Sequence, residues 1–385
     1  MLHEDFFPIN KGYRKVGIDR LNLLSNYYDL DLFVPQKKGS NLISSINKRI
    51  NVFKYNKKIF GSMVGFLSSI LKFNPISVSI YTDISYRKFI EKKTLNTKYD
   101  YIYLITPRGM ENLNLKKISH KKLIIDFVDP QSATFSYRAK KMHYLSILYY
   151  FEYRLFLKFE NKISRIADSI LLISQKDKQI YKKKFKNVYC VPHIKKINNT
   201  IMKYKNRNKN SFCFSGNLSY EENVNSIIFI IKKILPILLK YSQDYKLHII
   251  GSNPSNKLQK LLRKNKIKVI LNPKNILSEI SKYKLAIAPN TLPFGVISKI
   301  PECISVGTPI LTTKENISNS SIENYNESLL AETADEFAMK IHRGLSDENV
   351  FFENLELINK YALFFSESKV KKLFCNHIFS IKQDE

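Results

Sequence analysis

The 385-residue sequence predicts an α/β fold of two consecutive Rossmann-like units, similar in size, with a cleft between them. Three observations predict it. Short apolar runs alternate with helix-periodic stretches through the first half. A polar, basic and aperiodic stretch at 195–211 then breaks the alternation and reads as a linker. Beyond it the alternation restarts, and 285–313 sets an apolar run, a Gly loop, a short helix and a second apolar run in a row.

In chain order, the first half reads as a helix at 15–24, a strand at 28–34, a helix at 60–72, a strand at 77–81 and a helix at 87–93. Apolar runs at 101–106 and 123–128 have the continuous character of parallel strands covered on both faces. One long helix at 139–165 and strands at 169–173 and 188–191 complete this half. In the second half, strands are expected at 211–215, 247–250, 268–270, 285–288 and 310–313. Helices are expected at 223–241, 256–264, 276–282 and 334–345, and an amphipathic helical tail beyond 349 is interrupted by Phe364-Phe365.

Composition narrows the function. Four scattered cysteines (Cys190, Cys213, Cys303, Cys375) fit no disulfide framework, which favours a reducing compartment. Cys190-Val-Pro-His193 has a metal-like spacing without a second pair, and no metal is expected. No secretion signal opens the chain, and the longest apolar stretches, 60–71 and 227–239, are too short for a bilayer span. A cytoplasmic location is expected. The net charge of +30 comes chiefly from lysines spread along the whole chain, without an arginine-rich arm, so no nucleic-acid partner is expected. An anionic membrane surface suits this charge better, with the basic, aromatic stretches 53–72 and 140–158 as contacts at the inner face of the plasma membrane.

The segment Phe294-Gly-Val-Ile-Ser-Lys-Ile-Pro-Glu-Cys-Ile-Ser-Val-Gly-Thr308 carries the chemistry. A Gly loop between a parallel strand and a helix presents free N–H groups and the helix dipole to an anion. Lys299 and Glu302, three residues apart, share one helical face, which suits a diphosphate beside a ribose diol.

These residues resemble glycosyltransferase family 4. Phe212-Cys-Phe-Ser-Gly-Asn-Leu-Ser-Tyr-Glu-Glu-Asn-Val-Asn-Ser226 resembles the opening strand, loop and helix of that family's donor domain, and Leu247-His-Ile-Ile-Gly251 its strand ending in Gly. Ala288-Pro289 with 294–309 looks like the donor-phosphate loop and the helix of the nucleotide-sugar glutamate. Pro8-Ile-Asn-Lys-Gly12, Asp126-Phe-Val-Asp-Pro-Gln-Ser132 and 151–160 resemble segments of the acceptor half. Two departures stand out: Phe294 occupies the place of a frequent first glutamate, and Asn217 that of a frequent basic residue. Asp29-Leu-Asp31, which has the form of a metal-binding pair, reads as part of an early strand.

The resemblance implies a GT-B fold, with residues 1–203 as acceptor domain, 204–360 as donor domain and 361–385 as a helical tail crossing back to the first domain. It implies a retaining, metal-independent hexosyltransferase with a UDP- or GDP-sugar donor and no cofactor. The acceptor would be a surface polysaccharide or a lipid-linked saccharide. Lys299, Asp129 and Arg108 are the candidate catalytic residues. Gly12, Gly216, Asn217, Asn272, Ile276, Gly295, Val296, Ile297, Lys299 and Glu302 are the candidate donor-binding residues. A catalytically silent GT-B-like partner protein and a sugar-nucleotide epimerase are the alternatives.

Overall fold

The computed structural model describes residues 1–7, 12–36, 42–141, 145–195, 206–289, 293–320, 322 and 324–377. The chain divides into two compact units, Met1–Val191 with Lys371–Glu385, and Pro192–Val370.

In the first unit, β1 (Asp31–Gln36) and β2 (Asn51–Asn56) pair in parallel. A second parallel sheet runs β3-β4-β5-β6, from Tyr99–Ile105, His120–Val128, Ser169–Leu172 and Val188–Cys190. The N-terminal segment joins the two. Leu2 donates its N–H to the Phe33 carbonyl at 3.1 Å, and the Met1 carbonyl accepts from the Ile105 N–H at 3.2 Å. The first segment therefore lies between β1 and β3, and the chain runs outward from it in both directions. That reversal is the kind of switch point where parallel sheets bind ligands.

Two expectations change here. The 77–81 stretch is not a strand: Ile76–Ser79 is a helical turn. Pro75 precedes it, and the Glu152 carboxylate accepts the N–H groups of Ile76 and Ser77, so capping overrides the alternating pattern. The expected single helix at 139–165 is two, Gln131–Lys141 and Ser146–Ser164, joined by the stacked rings of Phe135 and Phe156, 5.4 Å apart. Strand β2 had no counterpart in the sequence reading, because its residues are mostly exposed or half-buried.

The second unit holds one five-stranded parallel sheet in the order β11-β10-β7-β8-β9. Its strands are β7 (Asn208–Asn217), β8 (Lys246–Ser252), β9 (Lys268–Leu271), β10 (Tyr283–Ala288) and β11 (Ile310–Thr312). The centres of β7 and β8 and the whole of β10 and β11 are buried, as strands sandwiched between helices must be. The helix Glu221–Phe229 passes through a π-turn, Ile230–Ile234, into Leu235–Tyr241. Pro236 lacks an N–H and would clash with the carbonyl four residues back, and the wider turn just before it relieves both. Lys371, in the helix Glu367–His377, belongs to the first unit, and its ammonium lies 4.5 Å from the Tyr27 ring of that same unit.

Candidate functional site

In the second unit, β7, β8 and β9 run to one side of the sheet and β10 and β11 to the other. The switch point is therefore the gap beyond the carboxyl ends of β7 and β10. Gly216, Asn217 and Lys299 lie there. Gly216 ends β7 with φ +153°, and a Cβ at that position would stand 2.8 Å from Nδ2 of Asn223. The next strand abuts just as closely: a Cβ on Gly251 would lie 2.0 Å from the Gly216 carbonyl oxygen. Glycine is required at 251 by this backbone approach and favoured at 216 by the positive φ.

Lys299 opens the helix Lys299–Ser305, which follows the β10 loop. Its side chain is 5% exposed. The ammonium donates to Oδ1 of Asn223 at 2.6 Å and lies 4.7 Å from the Phe214 ring. Asn223 in turn donates Nδ2–H to the Asn217 carbonyl at 2.8 Å. Burial pushes the Lys299 ammonium down to about 8, against the opposing pull of Glu302, Cys303 and Glu222. A cation held in an apolar setting by one neutral amide is poised for an anion. Burial raises its interaction with a phosphate well above what water would allow.

Glu302 lies one turn further on the same helix and is 8% exposed. Gly307, at φ +64°, ends the helix, with its N–H on the Ile304 carbonyl at 3.1 Å. Arg207 fixes this ending: it donates to the carbonyls of Tyr283 and Gly307 at 2.7 and 3.0 Å and to the Thr308 hydroxyl at 3.1 Å. Gly295, at φ +67°, is buried, Val296 is half-buried and Ile297 packs into the core. Asn217 spends its side chain on a local turn, accepting from the N–H and hydroxyl of Ser219. Asn272 is exposed at φ +48° and donates its N–H to the Gly251 carbonyl at 2.8 Å. Ile276 begins the helix Ile276–Ile280, which Asn275 caps.

The first unit gathers a second set. Two non-glycine residues with positive φ, Thr106 (+64°) and Val128 (+63°), end the neighbouring strands β3 and β4. Such a conformation costs roughly 1–3 kcal/mol per residue. At Val128 the chain makes a γ-turn, with the Asp129 N–H on the Phe127 carbonyl at 2.8 Å, and this turn aims Asp129. Its Oδ1 is out of contact with solvent and has no hydrogen-bond partner among the described residues. Burial and the nearby Asp177 and Asp126 push the Asp129 carboxyl up to about 7, partly offset by Arg108 and Arg20. A carboxyl titrating there can take a proton from a hydroxyl.

Arg108 donates to Gln131 at 2.7 Å, and its Nε is buried without a partner among the described residues. Asp126 has a different task. Fully buried, it pairs with Arg20 and accepts from Tyr103 at 2.6 Å and the Val128 N–H at 3.0 Å, which braces the turn. Asp31 accepts from Tyr99 at 2.7 Å and Asn51 at 2.9 Å in the β1 strand. Gly12 begins the helix Gly12–Leu24 with open space around its Cα, while Pro8–Lys11 lie outside the described residues.

Three participants went unassigned in the sequence reading. Asn223, partner of Lys299, lies within the 212–226 segment. His3, at the switch point, shares a 2.9 Å hydrogen bond between Nδ1 and the Thr106 hydroxyl. Burial and Arg108 push it down to about 3, so it is neutral at ordinary pH. Glu4 accepts from Tyr13 and from Arg14, the latter at 2.8 Å. His3 and Glu4, with Asp5, Tyr55, Tyr81 and Asp83, line a cavity of about 300 Å³. Among the described residues no cluster of three or more His, Cys, Asp or Glu side chains could hold a metal.

Comparison with known proteins decides the family of the second unit. Residues 209–347 match the model of the family described as Glycosyl transferases group 1. They form a glycosyltransferase group 1 domain. This domain contains every candidate donor residue except Gly12. A curated relative, an uncharacterized 44.6 kDa protein in the cps region of Klebsiella pneumoniae, is 24% identical over 278 residues, or 69% of each chain. The fold of the whole chain is similar to that of Anabaena HepE, solved with UDP, at a TM-score of 0.67 and 12% identity over 97% of each chain. Staphylococcus aureus TarM, solved with UDP and α-GlcNAc-glycerol, matches 77% of this chain at a TM-score of 0.59 and 12% identity. This chain spans 59% of the length of TarM. The fold is therefore GT-B.

Proposed function

We propose that this glycosyltransferase-domain protein moves a hexose from a nucleotide-sugar donor to a saccharide acceptor, with retention and without a metal. The observation that carries the reading is the buried Lys299 ammonium, held by Asn223 at the switch point of the group 1 domain. In the transfer, the bond from the sugar's anomeric carbon to the diphosphate breaks and a bond to an acceptor oxygen forms. The leaving diphosphate gains negative charge, and Lys299 meets it without Mg²⁺. Glu302 would hold the ribose hydroxyls. Gly216 and Gly251 let the backbone approach the phosphates, and the backbone near Asn272 and Ile276 meets the base.

The first unit would take the acceptor. The cavity beside His3 combines tyrosine faces with carboxylates, which suits sugar rings and their hydroxyls. Asp129 would accept the acceptor's proton and Arg108 would orient it. The UDP bound to HepE and TarM favours UDP over GDP in the donor. The cps-region relative favours a capsule-type polysaccharide acceptor.

Transfer from UDP-hexoses to saccharide acceptors in the presence of EDTA tests this, with proton NMR of the anomeric signal. The expected product keeps the donor's anomeric configuration. An inverted product, or activity abolished by EDTA, contradicts the mechanism.

A further inference from the structure

One helix of the first unit is built inside out. Ile59–Leu71 has the sequence Ile-Phe-Gly-Ser-Met-Val-Gly-Phe-Leu-Ser-Ser-Ile-Leu, without a charged residue. An ordinary surface helix would bury such residues. Here the buried positions are Gly61, Gly65 and Ser69, one turn apart. A Cβ on Gly65 would lie 2.4 Å from the Thr82 carbonyl oxygen, and one on Gly61 2.7 Å from Oδ1 of Asp83. Gly65 thus seats the helix on the Thr82–Asp83 backbone and Gly61 on the Asp83 and Ser85 side chains, and Ser62 ties it down by donating to Asp83 at 2.9 Å.

The large side chains point to solvent. Ile59 (81%), Phe60 (79%), Met63 (60%), Leu67 (59%), Leu71 (79%) and Phe73 (69%) are exposed to the fractions given. Lysines bracket the stripe: Lys57 and Lys58 precede it, Lys72 follows, and all three are exposed. A second apolar group, with Ile147 at 76% and Phe151 at 61%, lies on the helix Ser146–Ser164. Glu152 of that helix accepts the Ile76 N–H at 2.9 Å, and Lys72 and Lys162 both approach Glu111 at 3.5 and 3.6 Å. The two groups therefore adjoin on one unit.

The geometry points to an anionic lipid surface as the occupant of this face. Among the described residues no helix is long and apolar enough to cross a membrane, so the helix would lie in the interface plane. Its apolar side chains enter the acyl boundary, while the flanking lysines keep their ammonium groups among the phosphates. Charge separates this occupant from a second copy of the chain. A symmetric contact through the stripe would bring like-charged lysines together in a chain of net charge +30.

The test is co-sedimentation of the full chain with phosphatidylcholine vesicles, with and without phosphatidylglycerol, for wild type, Phe60→Ser with Leu67→Ser, and Lys58→Glu with Lys72→Glu. All four side chains are exposed, and thermal melts confirm that the variants fold. Wild type should bind the anionic vesicles and largely ignore the neutral ones. Each double variant should lose about tenfold or more in vesicle partition. Wild type left in the supernatant with anionic vesicles, or serine variants that bind like wild type, overturns the proposal. So does a dimer of wild type that the serine variants convert to monomer without any vesicle binding. Donor binding, read by titration with UDP, depends on the other unit and should not change in any variant.

Discussion

Lys299 stays charged at neutral pH against its own burial. Its pKa of about 8, compared with 10.5 in water, at about 1.4 kcal/mol per pH unit, means a cost to the fold on the order of 3 kcal/mol. Between those two values the unfolded chain binds the proton that the folded chain has shed, so stability rises with pH across that window. Lys299→Met should remove that rise and melt at the wild-type temperature or above, while UDP affinity drops at least about tenfold. A variant that melts well below wild type would make the lysine structural. Asp129 works with the opposite sign. Its raised pKa means the folded carboxyl holds a proton that the unfolded one has lost, so its contribution to stability falls as pH climbs from about 4 through about 7. Asp129→Asn should therefore be more stable than wild type at pH 7 by chemical denaturation, and indistinguishable from it near pH 3. Lys299 and Glu302 were legible as residues because a loop and one helical turn place them. Asn223 lies 76 positions before the lysine it binds, and no local pattern reports such a pairing.

Among the elements, the strand ends carry the most. At β8 a methyl group on Gly251 would have to displace the Gly216 backbone, while one on Gly216 would meet the Asn223 amide that holds Lys299. Gly251→Ala should cost roughly 1–3 kcal/mol in denaturant unfolding and weaken UDP binding with it. An unchanged midpoint would show that the two strand ends are further apart than described. Parallel strands with continuous apolar runs, such as β10, were plain in the sequence because burial on both faces leaves no alternation. β2 and the Leu2 pairing were not, since an edge strand and a single bridging residue carry too little pattern. The turn at Ile76 imitated a strand because its capping carboxylate, Glu152, comes from a distant helix.

For the whole molecule, the order of motifs carried more than any single one of them. Two α/β runs and a linker predicted two Rossmann-like units, and the resemblance implied the GT-B fold that HepE shares over 97% of its length. The sheet order then adds what the sequence did not contain: a switch point in each unit, with Gly216 and Lys299 beside the one in the second. The stretch 53–72 was legible as a basic, aromatic surface segment, but not the seating of its helix through Gly61 and Gly65, because apolar spacing alone does not say which face is buried. The central claim is a nucleoside diphosphate site at the β7–β10 switch point. Isothermal titration of UDP, GDP and CMP into wild type and Lys299→Met tests it most directly. One nucleotide, with UDP expected, should bind wild type and weaken at least about tenfold in the variant as the phosphate loses its cation. Absence of binding by all three, or equal binding by both proteins, would contradict it.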